Sequence, residues 1–167
     1  MSSDKTLVLD QNKIKQKITR MAFEIYERNA AEDNIVFAGI TGMGHLLAGF
    51  LAESLEKISP IQTKVLEINL DKKDVYRGEV MLSEKIDLTN RCIIIVDDVL
   101  NTGKTLVYAL KPFLDLPIKK MEVAVLVNRS HKLFPVTPDY TGLELATTLN
   151  DHITVDLSPK NKTVHLH

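Results

Sequence analysis

The chain has 167 residues, 44% hydrophobic and 26% charged, which suits one domain with a substantial core and excludes a disordered polymer. A net charge of −1 and a pI near 6.5 exclude a global basic field drawing it onto nucleic acid or anionic lipid, so any polyanion site must be local. The single Cys92 excludes an internal disulfide and a cysteine-based metal cluster.

The opening Met1-Ser2-Ser3-Asp4-Lys5 lacks an apolar signal region, and no apolar run approaches the roughly 20 residues of a membrane span. This leads us to expect a soluble, cytoplasmic protein that does not engage membranes. From Asp10 onward, Ile14, Ile18, Met21 and Ile25 recur at helical spacing, which predicts an amphipathic helix ending near Asn29. Ile35 to Ile40 reads as a short buried strand, Thr41-Gly42-Met43-Gly44 as a tight turn at its C-terminal end, and Leu47, Phe50, Leu51 and Leu55 as the inner face of a second helix that Ser59-Pro60 stops.

Strand, turn and helix repeated in this order imply crossovers and a parallel sheet. Val65 to Leu70 alternates apolar and polar residues, as a strand nearer an edge would. From Asp71 to Thr89 the pattern dissolves into charge, with Lys72, Lys73 and Arg77 among it, and a polar loop of this length in a compact domain is usually functional or disordered.

The organising stretch runs from Cys92 to Thr105. Cys92 to Val96 reads as a strand buried on both faces, and it ends in Asp97-Asp98. Asn101, Thr102, Gly103, Lys104 and Thr105 then form a small-residue loop whose backbone N–H groups can wrap an anion before a helix opened by Leu106. As plain structure this would be a strand, a turn and a helix, but adjacent acids on a buried strand end are costly unless they bind something. A nucleotide-triphosphate loop also ends in Gly-Lys-Thr, yet it needs glycine where Asp98 stands, and a carboxylate there would repel phosphate.

After Pro112, which should kink or end that helix, Met121 to Val127 is a further buried strand, with Asn128-Arg129-Ser130-His131 at its C-terminal end. Four strand ends then share one crevice, where open α/β sheets bind ligands. The C-terminal third, with short β-like pieces at Tyr140 to Leu143 and Ile153 to Leu157, reads as a small β-rich flap on a single domain spanning 1–167. His45, His152, His165 and His167 show no ligand spacing with a second His or Cys, and no direct metal site is expected.

The strand, diacid, Thr102-Gly103 and Thr105 resemble the ribose-phosphate motif of type I phosphoribosyltransferases. Ala124 to His131, with Leu133 and Pro135, then Tyr140-Thr141-Gly142 and Ala146-Thr147-Thr148, resemble the bacterial PyrR family, whose members bind pyrimidine-operon messenger RNA and convert uracil and phosphoribosyl pyrophosphate to UMP and pyrophosphate. The resemblance implies an open, mostly parallel sheet flanked by helices. It implies that Asp97 and Asp98 bind the ribose hydroxyls, that Asn101 to Thr105 hold the 5-phosphate, and that Lys72 takes the place of a mobile-loop arginine beside the pyrophosphate. It also implies Mg2+ with the sugar substrate, and Arg129 and His131 lining the base pocket or an RNA face.

This chain departs from the family at two points. Asn101 stands where purine enzymes place an aspartate and PyrR proteins a tyrosine, and an amide is no general base near neutral pH, which favours a pyrimidine. Thr41-Gly42-Met43-Gly44 stands where the family reads Arg-Thr-Arg-Gly, so both pyrophosphate arginines are missing, each such donor being worth roughly 2.7–4 kcal/mol of barrier. The expected function is uracil phosphoribosyl transfer by a homo-oligomer. The alternatives are an RNA-binding regulator with little catalysis and a scaffold that only binds a ribose phosphate.

Overall fold

A computed structural model describes residues 4–129 and 131–167; Met1 to Ser3 of the polar N-terminal stretch and Ser130 of the Asn-Arg-Ser-His stretch lie outside the described residues. The chain runs β1 (Thr6–Leu9), α1 (Gln11–Arg28), β2 (Asn34–Ile40), α2 (Met43–Ile58), β3 (Gln62–Asn69), β4 (Met81–Leu82) and β5 (Cys92–Leu100). It continues through α3 (Lys104–Ala109), α4 (Lys111–Leu114), β6 (Lys120–Arg129), β7 (Tyr140–Leu145), β8 (Ile153–Asp156) and β9 (Thr163–Leu166).

Asp10 caps α1 by accepting the Lys13 N–H at 2.9 Å, and Ile14, Ile18, Met21 and Ile25 are buried as their spacing predicts. The main sheet has the order β4-β3-β2-β5-β6-β7, and all its pairings are parallel except that of β4 with β3. Residues of α1 and α2 pack with one face of the sheet, in a cluster that includes Ile14, Leu47, Phe37 and Ile94; α3 and α4 cover the other, where Leu106 and Phe113 meet Ile93, Ile95 and Val125. Sequence order reverses between β2 and β5, so the chain leaves a crevice at the C-terminal ends of these two strands.

Several expectations need correction. Tyr140 to Leu145 belongs to the main sheet as its parallel edge strand, paired with β6 from Ala124↔Tyr140 to Arg129↔Leu145, and not to the flap. The flap is a three-stranded antiparallel sheet, β1-β9-β8, that recruits the N-terminal strand as well as the C-terminal residues. Helix α2 starts at Met43, so only Thr41-Gly42 is turn, and α3 starts at Lys104, so Lys104 and Thr105 are helical. The Asp71 to Thr89 segment is not structureless: β4 returns to pair with β3, and Val75 and Leu88 are buried against the sheet.

Candidate active site

Strand β5 carries the acids beyond its apolar half and stays paired with β6 as far as Leu100↔Asn128, so Asp97 and Asp98 are held by the sheet itself. Alternation along the strand separates them: Asp97 is 4% exposed while Asp98 is half-buried. Asp97 Oδ1 accepts the Asp98 N–H and Asp98 Oδ1 accepts the Val99 N–H, both at 2.9 Å. Burial pushes the Asp97 carboxyl well above the ordinary carboxylate range and the Asp98 charge adds to this, while the Lys72 ammonium, 3.5 Å from Asp97 Oδ1, opposes it.

Two glycines let other backbone come close. A Cβ on Gly44 would stand 2.8 Å from Val96 O and 3.0 Å from Asp97 Oδ1, so the first turn of α2 can rest on the diacid only as glycine. Gly103 has φ +89, and a Cβ there would lie 2.6 Å from Val136 Cγ1. The need for glycine at 103 is thus set by backbone conformation and by packing against the Phe134–Val136 loop, which seats the turn from behind. That loop is tied in by its N–H groups, since Leu133 and Phe134 donate to Thr102 O at 2.8 and 3.0 Å.

A cavity of about 250 Å³ brings together Lys72, the run from Asp97 to Leu106 and Ile153 of β8. Asp97, Asp98, Lys72, Asn101, Thr102, Gly103, Lys104 and Thr105 therefore share one wall system. Thr41 to Gly44 do not line it, although Gly44 backs onto Asp97. Thr41 donates its N–H to Ile68 O at 3.0 Å and borders a separate cavity that also holds Asp71 and Glu79. Met43 Sδ accepts the Leu157 N–H at 3.4 Å, which turns this side chain toward the antiparallel sheet.

Arg129 and His131 do not line the main cavity either. Arg129 is 8% exposed and donates to Thr147, Asn101, Thr148 and Asp151, and His131 Nε2 lies 2.7 Å from Thr147 O. Residues that sequence reasoning missed are Ile153, the Leu133–Phe134 backbone and Tyr76. The Tyr76 ring, on the charged segment, lies 5.3 Å from Lys104 Nζ and joins that segment to the start of α3. Apolar Leu133, Phe134 and Val136 in the loop before β7 were the signal for their part.

A family model described as a phosphoribosyl transferase domain matches residues 5–162. The sequence is 35% identical to the bifunctional protein PyrR of Bacillus mycoides (strain KBAB4) and of Bacillus cereus (strain B4264), over 92% of this chain and 91% of theirs. The fold is similar to that of the hypoxanthine phosphoribosyltransferase of Trypanosoma cruzi, with a TM-score of 0.74 at 14% identity over 95% of each chain. It is similar also to a hypoxanthine-guanine phosphoribosyltransferase from Bacillus anthracis, with a TM-score of 0.72 at 17% identity over 95% of this chain and 97% of that one. With the family match running from the first strand to the turn before the last, and the PyrR likeness covering nearly the full length, the chain belongs to the phosphoribosyltransferase family, in its PyrR branch.

Proposed function

We propose that this phosphoribosyltransferase transfers the ribose 5-phosphate of phosphoribosyl pyrophosphate to uracil or a related pyrimidine and releases pyrophosphate. The observation that carries this reading is the single cavity shared by the diacid, the Asn101–Gly103 turn with the start of α3, and Lys72. Asp97 and Asp98 accept from the ribose hydroxyls and face the positive charge that grows on the sugar as pyrophosphate leaves. The N–H groups at the start of α3 and the Thr102 and Thr105 hydroxyls hold the 5-phosphate. Lys72 turns from Asp97 to the leaving pyrophosphate. The uracil assignment rests on the likeness to PyrR proteins and on an amide, not a carboxylate, at Asn101.

Burial first, and the neighbouring Asp98 charge second, raise the Asp97 carboxyl, and the two adjacent acids are hard-oxygen donors that would suit a Mg2+ ion bound with the substrate. When bound, the ion supplies charge neutralisation on the departing pyrophosphate. A second reading, an RNA-binding regulator with little catalysis, is favoured by Lys13 and Lys15 standing exposed on α1. The deciding assay incubates purified protein with phosphoribosyl pyrophosphate, Mg2+ and a panel of bases, and follows pyrophosphate and nucleotide. Release with uracil supports transfer; no release with any base, beside tight binding of an RNA hairpin, supports the regulator.

A further inference from the structure

Arg129 closes β6 with every arm of its guanidinium engaged. Nε donates to Thr147 Oγ1 at 2.9 Å, Nη2 donates to Asp151 O at 2.8 Å and Thr148 O at 3.2 Å, and Nη1 donates to Asn101 Oδ1 at 2.9 Å. A guanidinium can only donate, so of the two ends of the Asn101 amide it can meet only the oxygen. That contact settles the flip of the side chain and turns the NH2 away from Arg129. This NH2 donates no hydrogen bond among the described residues, while Asn101 itself is exposed and lines the main cavity.

The wall around it is mainly polar, with Lys72, Asp97, Asp98, Thr102, Lys104 and Thr105 on it. Val99, Leu100 and Ile153 border the same cavity, and Ile153 comes from β8, on the flap sheet. A few placed polar groups that fix the orientation of a ligand, one amide donor among them, are a common recognition arrangement for a heterocycle.

We propose that Arg129 is a positioning residue that locks the Asn101 amide with its NH2 toward the ligand, so that the site selects a base presenting a carbonyl there over one presenting an amine. The inference deepens the nucleotide-site reading above and rests on it. Uracil offers its 4-carbonyl to the locked donor; cytosine offers an amino group, and donor would face donor. An unlocked amide could flip and accept from the amine, so discrimination depends on Arg129 as well as on Asn101. Because Asn101 is exposed, water can still reach a mismatched donor, and the selectivity is set at about tenfold or more, short of the 10⁴–10⁵ of fully buried hydrogen-bonding sites.

Calorimetry of wild type, Asn101→Asp and Arg129→Lys with UMP, CMP and ribose 5-phosphate tests this. Wild type should bind UMP about tenfold or more tighter than CMP. Asn101→Asp keeps an oxygen for Arg129 but presents only acceptors, and the UMP to CMP ratio should fall to about one or invert. Arg129→Lys cannot span the four partners and should move the ratio toward one, changing ribose 5-phosphate affinity less than UMP affinity. A purely structural role for Arg129 would weaken all three ligands together and leave the ratio in place. Equal binding of UMP and CMP by wild type, or a wild-type ratio in Asn101→Asp, overturns the proposal; the latter variant decides the matter even if Arg129→Lys does not fold. Failure of wild type to bind ribose 5-phosphate at all would instead remove the nucleotide-site reading, and this inference with it.

Discussion

The Lys72 ammonium sits 3.5 Å from Oδ1 of Asp97, joining a side chain 42% exposed to one only 5% exposed. The exposed partner belongs to the charged segment between β3 and β5, so this segment rests on the acid that a ribose hydroxyl would need. Ligand entry and movement of Lys72 are therefore the same event in our reading.

That segment should behave as a lid. Lys72, Lys73 and Arg77 are exposed, while Val75 and β4 anchor its two arms. Trypsin should cut the free protein at Lys72, Lys73 or Arg77, with protection by phosphoribosyl pyrophosphate plus Mg2+, and Lys72→Ala should lower turnover more than affinity. Equal resistance with and without ligand, together with normal turnover of Lys72→Ala, would return these cations to an ordinary solvated loop.

Asp98 is half-buried at the cavity, and its Oδ1 accepts the next backbone N–H, that of Val99. Asp98→Asn should abolish measurable binding of phosphoribosyl pyrophosphate with the far-ultraviolet spectrum unchanged. Wild-type affinity by calorimetry would take the acids out of the site.

At Gly103 a valine meets both a left-handed backbone and Val136 Cγ1. Gly103→Val should cost about 1–3 kcal/mol of stability for the strained backbone. It should also weaken UMP and ribose 5-phosphate alike, since both carry the 5-phosphate. Either ligand bound at wild-type strength would place the phosphate elsewhere.

The raised Asp97 carboxyl predicts a pH signature. The folded chain holds a proton that the unfolded chain has lost, so the contribution of Asp97 to stability is fully present below its unfolded pKa, near 3.8, and is lost as pH rises through the folded value. Asp97→Asn removes this loss. The ligand-free variant should be more stable than wild type at pH 7 by roughly 0.5–2 kcal/mol, the range of a single stabilising substitution, and the advantage should shrink toward pH 4. Denaturant midpoints across this range check it, and an advantage independent of pH would show that Asp97 is ionised in the folded protein throughout.

The local stretch from Cys92 to Thr105 was legible as a unit because its signals are short-range: β-branched residues for the strand, two acids in succession, then small residues ahead of a helix. For the same reason α1, α2 and the inner strands could be read from periodicity. Strand β1 could not, because four residues acquire strand geometry only by pairing with β9 at the far end of the chain. Tyr140 to Leu143 looked like flap because its parallel neighbour β6 is what makes it sheet. Residue types and spacing thus determined the parallel core and put a diacid beside an anion-binding turn. Tertiary structure alone decided which distant side chains meet there: the β5–β6 register aligns Leu100 with Asn128, and so brings Arg129 within hydrogen-bond reach of an amide 28 positions earlier. Chain folding likewise laid the Lys72 ammonium on Asp97 and turned Met43 toward Leu157, because such contacts depend on strand register and helix placement, which no local pattern encodes.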